Sequence, residues 1–168
     1  MAQDPASMLA AAMTTPRPGD RILDMCAAPG GKATHITALS EGRATVVAAE
    51  RYFGRMERIR ENCARMGVPN VALLCADGLA PPLAVGAFDC VLLDAPCSGL
   101  GTLRRHPEIK WRTTPDMPAQ MAVTQRALLR KAVQLCKNGG LIVYTVCTLT
   151  RQETLEVIAE TAADGTCV

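Results

Sequence analysis

Aromatic side chains are scarce: two Phe, two Tyr and one Trp amount to 3% of the chain. Ring stacking therefore cannot dominate a core, which must be assembled from aliphatic layers of Ala, Leu, Val and Met. Histidine is scarcer still, and His35 and His106 cannot make a metal cluster unaided. No stretch approaches the roughly 20 continuous apolar residues of a membrane span. The first residues include Asp4 and Pro5 where a signal peptide has positive charge followed by a long apolar run. A soluble intracellular protein is the expectation, with no membrane partner. Cysteine is plentiful, but CxxC pairs are missing among Cys26, Cys63, Cys75, Cys90, Cys97, Cys136, Cys147 and Cys167. That argues against structural zinc and against a disulfide framework. Reduced thiols are the simpler account, most of them small core hydrophobes and one or two placed for chemistry.

The 168 residues, 49% apolar and 20% charged, suffice for one domain over 1–168, burying roughly two-thirds of its unfolded surface. Fibrous and strongly disordered states do not fit this composition. A net charge of +2 points to no partner by itself. Its distribution says more. Arg104, Arg105, Lys110, Arg112, Arg126, Arg130, Lys131 and Lys137 face only Glu108 and Asp116 across the same part of the chain. Basic charge thus gathers after Leu100, either as a solvated helix face plus a basic loop or as a surface for a polyanion.

Short apolar runs alternate with helix-compatible segments. Arg21 to Met25 reads as a first strand, followed by the compact loop Cys26-Ala27-Ala28-Pro29-Gly30-Gly31-Lys32 and a helix to about Ser40. Thr45 to Ala49 is a second strand ending at Glu50, with a charged helix from Arg51 to Met66 and a stop at Gly67. Val71 to Cys75 and Phe88 to Leu93 are nearly continuous apolar runs, the pattern of strands covered on both faces, and end at Asp77 and Asp94. A long helix over Pro118 to Leu135 ends at Asn138-Gly139-Gly140. Leu141 to Val146 is then a fifth strand, and Gln152 to Ala163 a closing helix. Repeated β-α units predict an α/β fold, a mostly parallel doubly wound sheet covered by helices. In such a sheet ligands lie beyond the carboxyl ends of the strands. Asp24, Glu50, Asp77, Asp94 and Cys147 should therefore meet on one rim.

The Cys26 to Lys32 loop can bring backbone N–H groups and a helix N-terminus to a polar ligand, with Gly30 and Gly31 allowing close approach. It matches neither a P-loop nor the GxGxxG dinucleotide pattern, and by itself is either a cofactor cradle or a structural turn. Glu50, twenty residues after Gly30 at a strand end, suits a carboxylate accepting ribose hydroxyls. Asp77 serves an adenine amino group or forms a solvated Asp-Gly turn. Asp24 meets the amino end of a cofactor or caps the loop.

Three motifs in order carry a family resemblance. They are Asp24-Met25-Cys26-Ala27-Ala28-Pro29-Gly30-Gly31-Lys32, Asp94-Ala95-Pro96-Cys97-Ser98-Gly99-Leu100-Gly101-Thr102 and Tyr144-Thr145-Val146-Cys147-Thr148. Together with Gln3 to Met8, they closely resemble the catalytic domain of the NOL1/NOP2/Sun family of RNA 5-methylcytosine methyltransferases. The resemblance implies a Rossmann-like domain that binds S-adenosylmethionine and acts on cytosine in RNA, rRNA or tRNA. By it, Cys26 to Lys32 is the methionine-side cradle, Glu50 the ribose acceptor and Asp77 an adenine-side residue. Asp94 is the acid where cofactor and base meet, Cys97 the Pro-Cys cysteine and Cys147 the Thr-Cys cysteine. Val146 departs from the Thr usual before that cysteine.

Cytosine C5 is a poor nucleophile, so methyl transfer needs covalent activation at C6 by a thiolate. Cys147 is the candidate nucleophile; apart from the resemblance, a buried structural thiol at a strand end is its alternative. Cys97 is the candidate for the later release step, with loop packing or an incidental thiol as its alternative, and Asp94 holds the cytosine amino group, orients the Pro96-Cys97 turn, or does both. Lys32 meets substrate phosphate, polarises the base, or is an exposed helix-start lysine. Arg104, Arg105, Lys110 and Arg112 suit an RNA backbone. Trp111 stacks on a base or packs its loop onto the domain. The family's additional RNA-binding region and final strands are not visible, so a further RNA-binding domain or protein partner is expected. The setting expected is the cytoplasm of a prokaryote, or the nucleus or nucleolus of a eukaryote. A catalytically weak cofactor-binding RNA-binding or assembly module is the alternative, and a small-molecule methyltransferase a more distant one.

Overall fold

The apolar runs become strands at nearly the expected bounds. The structure, a computed structural model, describes residues 3–68 and 70–163. Its strands are β1 (Arg21–Met25), β2 (Thr45–Glu50), β3 (Val71–Cys75), β4 (Phe88–Asp94) and β5 (Cys136–Thr145). They form one sheet in the order β3-β2-β1-β4-β5, and every pairing is parallel. The expected doubly wound parallel sheet is therefore present. The chain steps outward from β1 to β3, then returns to the other side of β1 to build β4 and β5. The direction reverses between β1 and β4, which opens a crevice at their carboxyl ends.

Side-chain alternation splits the core into two faces. Ile22, Val46, Ala48 and Leu92 pack with α2 (Gly31–Leu39) and α3 (Phe53–Arg65) through Ala33, Ile36, Ile59 and Cys63. Leu23, Met25, Val91 and Leu93 pack with α5 (Met117–Leu135) and α6 (Leu155–Ala163) through Leu128, Leu129, Ala132 and Val157. Each fully buried aliphatic side chain contributes roughly 1.5–3 kcal/mol. Phe88 is buried, while Phe53, Tyr52 and Trp111 are exposed, so the core is aliphatic as the composition required.

Two local expectations are corrected. Residues 5–12 form α1 (Pro5–Ala12), which the sequence reading passed over. Its signal was present: Asp4 Oδ1 accepts a hydrogen bond from Ala6 N at 2.9 Å, and Pro5 occupies the first turn, where its missing N–H costs nothing. The fifth strand begins at Cys136 rather than Leu141 and ends at Thr145, before Val146. Phe88 pairs with Cys136 but Cys90 pairs with Leu141, so Asn138-Gly139-Gly140 loops out as a bulge within the strand. A short helix, α4 (Ile109–Arg112), lies in the basic loop.

Candidate active site

Strand register, not sequence proximity, assembles the site. Asp94 at the end of β4 pairs with Thr145 at the end of β5. The chain runs on from these partners to Cys97 on one side and Cys147 on the other. The two sulfurs lie 2.9 Å apart, and the Cys147 backbone N–H donates to Cys97 Sγ at 3.2 Å. The Gly101 N–H also donates to the Cys147 carbonyl at 3.0 Å. A Cβ on residue 101 would sit 3.0 Å from that oxygen, so the two loops meet at backbone distance.

A cleft of about 780 Å³ runs along the carboxyl ends of the strands. Asp94, Cys97 and Cys147 line it together with Lys32, and Glu50 and Asp77 line its other part. Both oxygens of Asp94 are held, Oδ2 by Lys32 Nζ at 2.6 Å and Oδ1 by Thr145 Oγ1 at 2.9 Å. Lys32 is thus a clamp with 16% side-chain exposure rather than a loose helix-start lysine. Each carboxylate oxygen keeps a free lone pair for a further donor.

The three thiols at this rim differ in character. The hydrogen bond from Cys97 lowers Cys147 to about 7 against the opposing pull of burial and Asp94, with Lys32 assisting. The same hydrogen bond, together with burial, pushes Cys97 up, so it keeps its proton. Cys26 is pushed up to about 12 by burial and by the carboxylates of Glu50, Asp24 and Asp94. Cys147 is exposed, whereas Cys26 and Cys97 are half-buried. Accessibility and thiolate character coincide at Cys147, the combination expected of a nucleophile. Elsewhere Cys63, Cys90 and Cys136 are buried in the core, as expected of small hydrophobes. Cys167 lies outside the described residues.

The Cys26 to Lys32 loop divides. Cys26, Ala28 and Lys32 line the cleft, whereas Ala27, Pro29, Gly30 and Gly31 do not. Gly30 has a φ of +96° and would place a Cβ 2.9 Å from Ile59 Cγ2, so it fixes the approach of α2 to α3. Gly30→Ala is expected to destabilise the fold by about 2–4 kcal/mol through strain and overpacking, checked by urea denaturation. Asp24 is buried away from the cleft lining, and among the described residues neither carboxylate oxygen has a well-formed hydrogen bond, the Ala33 N–H being a weak backbone donor toward it.

Several features of the cleft fit a nucleoside-bearing cofactor. Glu50 is 3% exposed; its Oε1 accepts from Tyr52 N at 3.1 Å, while Oε2 has no hydrogen-bond partner among the described residues. Arg55 stands 3.6 Å from Oε2. Glu50 lines the cleft, where a carboxylate suits a hydroxyl donor, and Leu79, Pro81, Leu83 and Leu128 supply an apolar wall nearby. Asp77 accepts from Leu79 N at 3.0 Å and faces Arg51 at 3.4 Å, so it shapes its turn while lining the cleft.

The basic residues do not form one surface. Arg104, Lys110 and Arg112 are exposed on the loop after Cys97, and Arg105 pairs with Asp4, the cap of α1. Trp111 is 82% exposed with Lys110 Nζ 5.0 Å from its ring centre. It does not pack its loop onto the domain. Arg126 instead pairs with Glu160 and Lys137 with Asp89, away from the loop. Sequence reading missed Thr145, Ser98, Gln125, Thr148 and Glu153 as parts of the site. Ser98, Thr145 and Thr148 stand inside the quoted motifs but carry no role of their own there, whereas Gln125 and Glu153 have no local pattern; tertiary packing brings all five together.

A family model described as 16S rRNA methyltransferase RsmB/F matches residues 11–165. A probable ribosomal RNA small subunit methyltransferase B of Synechocystis is 39% identical over 155 residues, 90% of this chain and 34% of that protein. The human tRNA (cytosine(72)-C(5))-methyltransferase NSUN6 is 37% identical over 170 residues, 94% of this chain and 36% of that protein. Among solved structures, NSun6 from Pyrococcus horikoshii with SFG superposes with a TM-score of 0.88 at 34% identity. The match covers 97% of this chain and 42% of that one. The chain spans about a third of the length of these curated relatives.

Proposed function

Because the chain belongs to the RsmB/F family of 16S rRNA methyltransferases, we propose that it transfers a methyl group from S-adenosylmethionine to C5 of cytosine in RNA through a Cys147–C6 bond. The observation that carries this reading is the meeting of Cys97, Cys147 and Asp94 on one cleft, with the thiolate favoured at the exposed sulfur. When bound, S-adenosylmethionine supplies an electrophilic methyl group. Glu50 accepts ribose hydroxyls, Asp77 and the apolar wall face the adenine, and Cys26 to Lys32 borders the methionine end.

Cys147 attacks C6, forming the S–C6 bond while the C5=C6 electron pair moves toward C5. Asp94, fixed by Lys32 and Thr145, accepts from the cytosine amino group and supports that redistribution. Formation of the S–C6 bond also removes the thiolate that held the Cys97 proton. Cys97, no longer holding its proton against a neighbouring thiolate, releases it to water; the resulting Cys97 thiolate takes the C5 proton, directly or through water, as the C5–H electron pair re-forms C5=C6 and the S–C6 pair returns to Cys147 as its thiolate. The base must leave its stack to reach Cys147, at a cost of a few kcal/mol that single-stranded or distorted RNA reduces. Arg104, Lys110 and Arg112 contact phosphate, and Trp111 offers a stacking face. The substrate class proposed is rRNA or tRNA, with a further RNA-binding region or partner supplying selection of the site.

Incubation with methyl-labelled S-adenosylmethionine and ribosomal or transfer RNA should place label on cytosine C5. A folded protein that binds the cofactor saturably and labels no cytosine would defeat the catalytic reading. Cys97→Ala is expected to accumulate a protein–RNA adduct that survives SDS denaturation, because attack proceeds and release does not. Normal turnover without an adduct would remove Cys97 from the release step.

A further inference from the structure

Glu153 is a fully buried carboxylate that the reaction above does not use. It stands just before α6 and accepts five hydrogen bonds. Oε1 receives Ser98 N at 2.8 Å and Gln125 Nε2 at 3.0 Å. Oε2 receives Thr148 Oγ1 and Thr150 Oγ1, each at 3.0 Å, and the Ser98 hydroxyl. Burial alone would raise its carboxyl, yet the donors from Ser98, Gln125 and Thr150 hold it below the ordinary value. Removing a carboxylate from water costs several kcal/mol unless its lone pairs are satisfied, and here they are.

The donors identify what the charge holds. Ser98 follows Cys97 directly and Thr148 follows Cys147 directly, with their hydroxyls 3.0 Å apart. Gln125 on α5 donates as well to the Pro96 carbonyl at 2.8 Å, on the other side of Cys97. The Tyr144 hydroxyl anchors Glu153 itself by donating to its backbone carbonyl at 2.8 Å. One carboxylate therefore grips the residues next to both sulfurs, and a helix glutamine brackets the Cys97 turn. A neutral side chain of similar size cannot accept five donors without turning some of them away.

We propose that Glu153 is a positioning residue that sets the separation of the Cys97 and Cys147 sulfurs. Its catalytic consequence rests on the covalent reading above; its structural consequence does not. Backbone ties from Gly101 to Cys147 and from Ala95 to Thr145 keep the loops adjacent without it. Loss of Glu153 should thus loosen the sulfur contact rather than dissolve the site.

The test uses the full chain without RNA or cofactor, equilibrated with reduced and oxidised glutathione. The Cys97 and Cys147 thiols give up two electrons and two protons to form an S–S bond, while glutathione disulfide is reduced to two glutathione thiols. Peptide mapping reads the Cys97–Cys147 disulfide. Glu153→Gln is expected to lower the effective concentration of one thiol at the other by roughly tenfold or more, which corresponds to about 30 mV or more in the potential of the pair. Thr148→Val, which severs only the Cys147 side, should give a smaller loss, and Glu153→Asp a partial recovery. Alkylation of exposed Cys75 should be unchanged, while the pH dependence of Cys147 alkylation should move upward as the Cys97 donor is displaced. Parental disulfide equilibria in both Glu153→Gln and Thr148→Val would overturn the proposal. If Glu153→Gln does not fold, Thr148→Val and Ser98→Ala decide it. A parent that cross-links readily but methylates no RNA would sink the functional reading while leaving this inference standing.

Discussion

Cys147→Ala is expected to abolish methyl transfer to RNA, lowering kcat by more than about a thousandfold, or about 4 kcal/mol. The variant should keep its fold and its affinity for S-adenosylmethionine, since Cys147 is exposed and its side chain touches no core cluster. Single-turnover labelling measures the loss, and titration with the cofactor shows that binding persists. In the parent, activity should rise with pH through the range in which Cys147 becomes a thiolate, around its value of about 7. Removal of the Cys97 donor should shift thiolate formation upward, toward the ordinary cysteine value of about 8.5. Retention of a large fraction of turnover by Cys147→Ala would place the nucleophile elsewhere. Cys26 would be a poor substitute, because its thiol is pushed up to about 12.

A second large effect has the opposite sign for stability. Asp24→Asn is expected to stabilise the cofactor-free protein at neutral pH by about 2–4 kcal/mol. Burial pushes the Asp24 carboxyl up to about 8, with Lys32 opposing and Asp94 adding to the rise. In the unfolded chain an aspartate loses its proton near about 3.9. Between these values the unfolded state sheds a proton that the native state keeps, so stability contributed by this group declines as pH rises and is lost through about 8. Asparagine carries no titrating proton and escapes the decline. The advantage of the variant should therefore grow by up to about 1.4 kcal/mol per pH unit between about pH 5 and about pH 7.5. Urea denaturation of both proteins across that range measures the slope. A variant less stable than its parent would mean that Asp24 is ionised in the fold and held by a partner.

Sequence and structure contribute different parts of the candidate site. The loop Cys26 to Lys32 and the strand-terminal residues Glu50, Asp77 and Asp94 were legible because each follows an apolar run that can only be a buried strand. A parallel sheet then sends all those ends to one rim. The NOL1/NOP2/Sun resemblance drawn from the three motifs holds in the family match over residues 11–165. Glu153 was not legible. In sequence it is one polar residue in the opening of a helix, and nothing within a few positions distinguishes it from Glu156 or Glu160. Lys32 was underestimated for the same reason, since its partner Asp94 lies 62 residues away.

The sequence by itself determined the parallel α/β architecture, the aliphatic core and the chemical types gathered at the strand ends. These follow from periodicity, turn residues and short motifs, which act over a few residues. Tertiary structure alone decided that Cys97 and Cys147 touch across 50 residues, that Asp24 is sealed away from water, and that the basic segment divides between rim and remote ion pairs. The physical reason is that β4–β5 register and the packing of α5 and α6 set these distances. Burial and charge then act on the side chains according to where that packing leaves them.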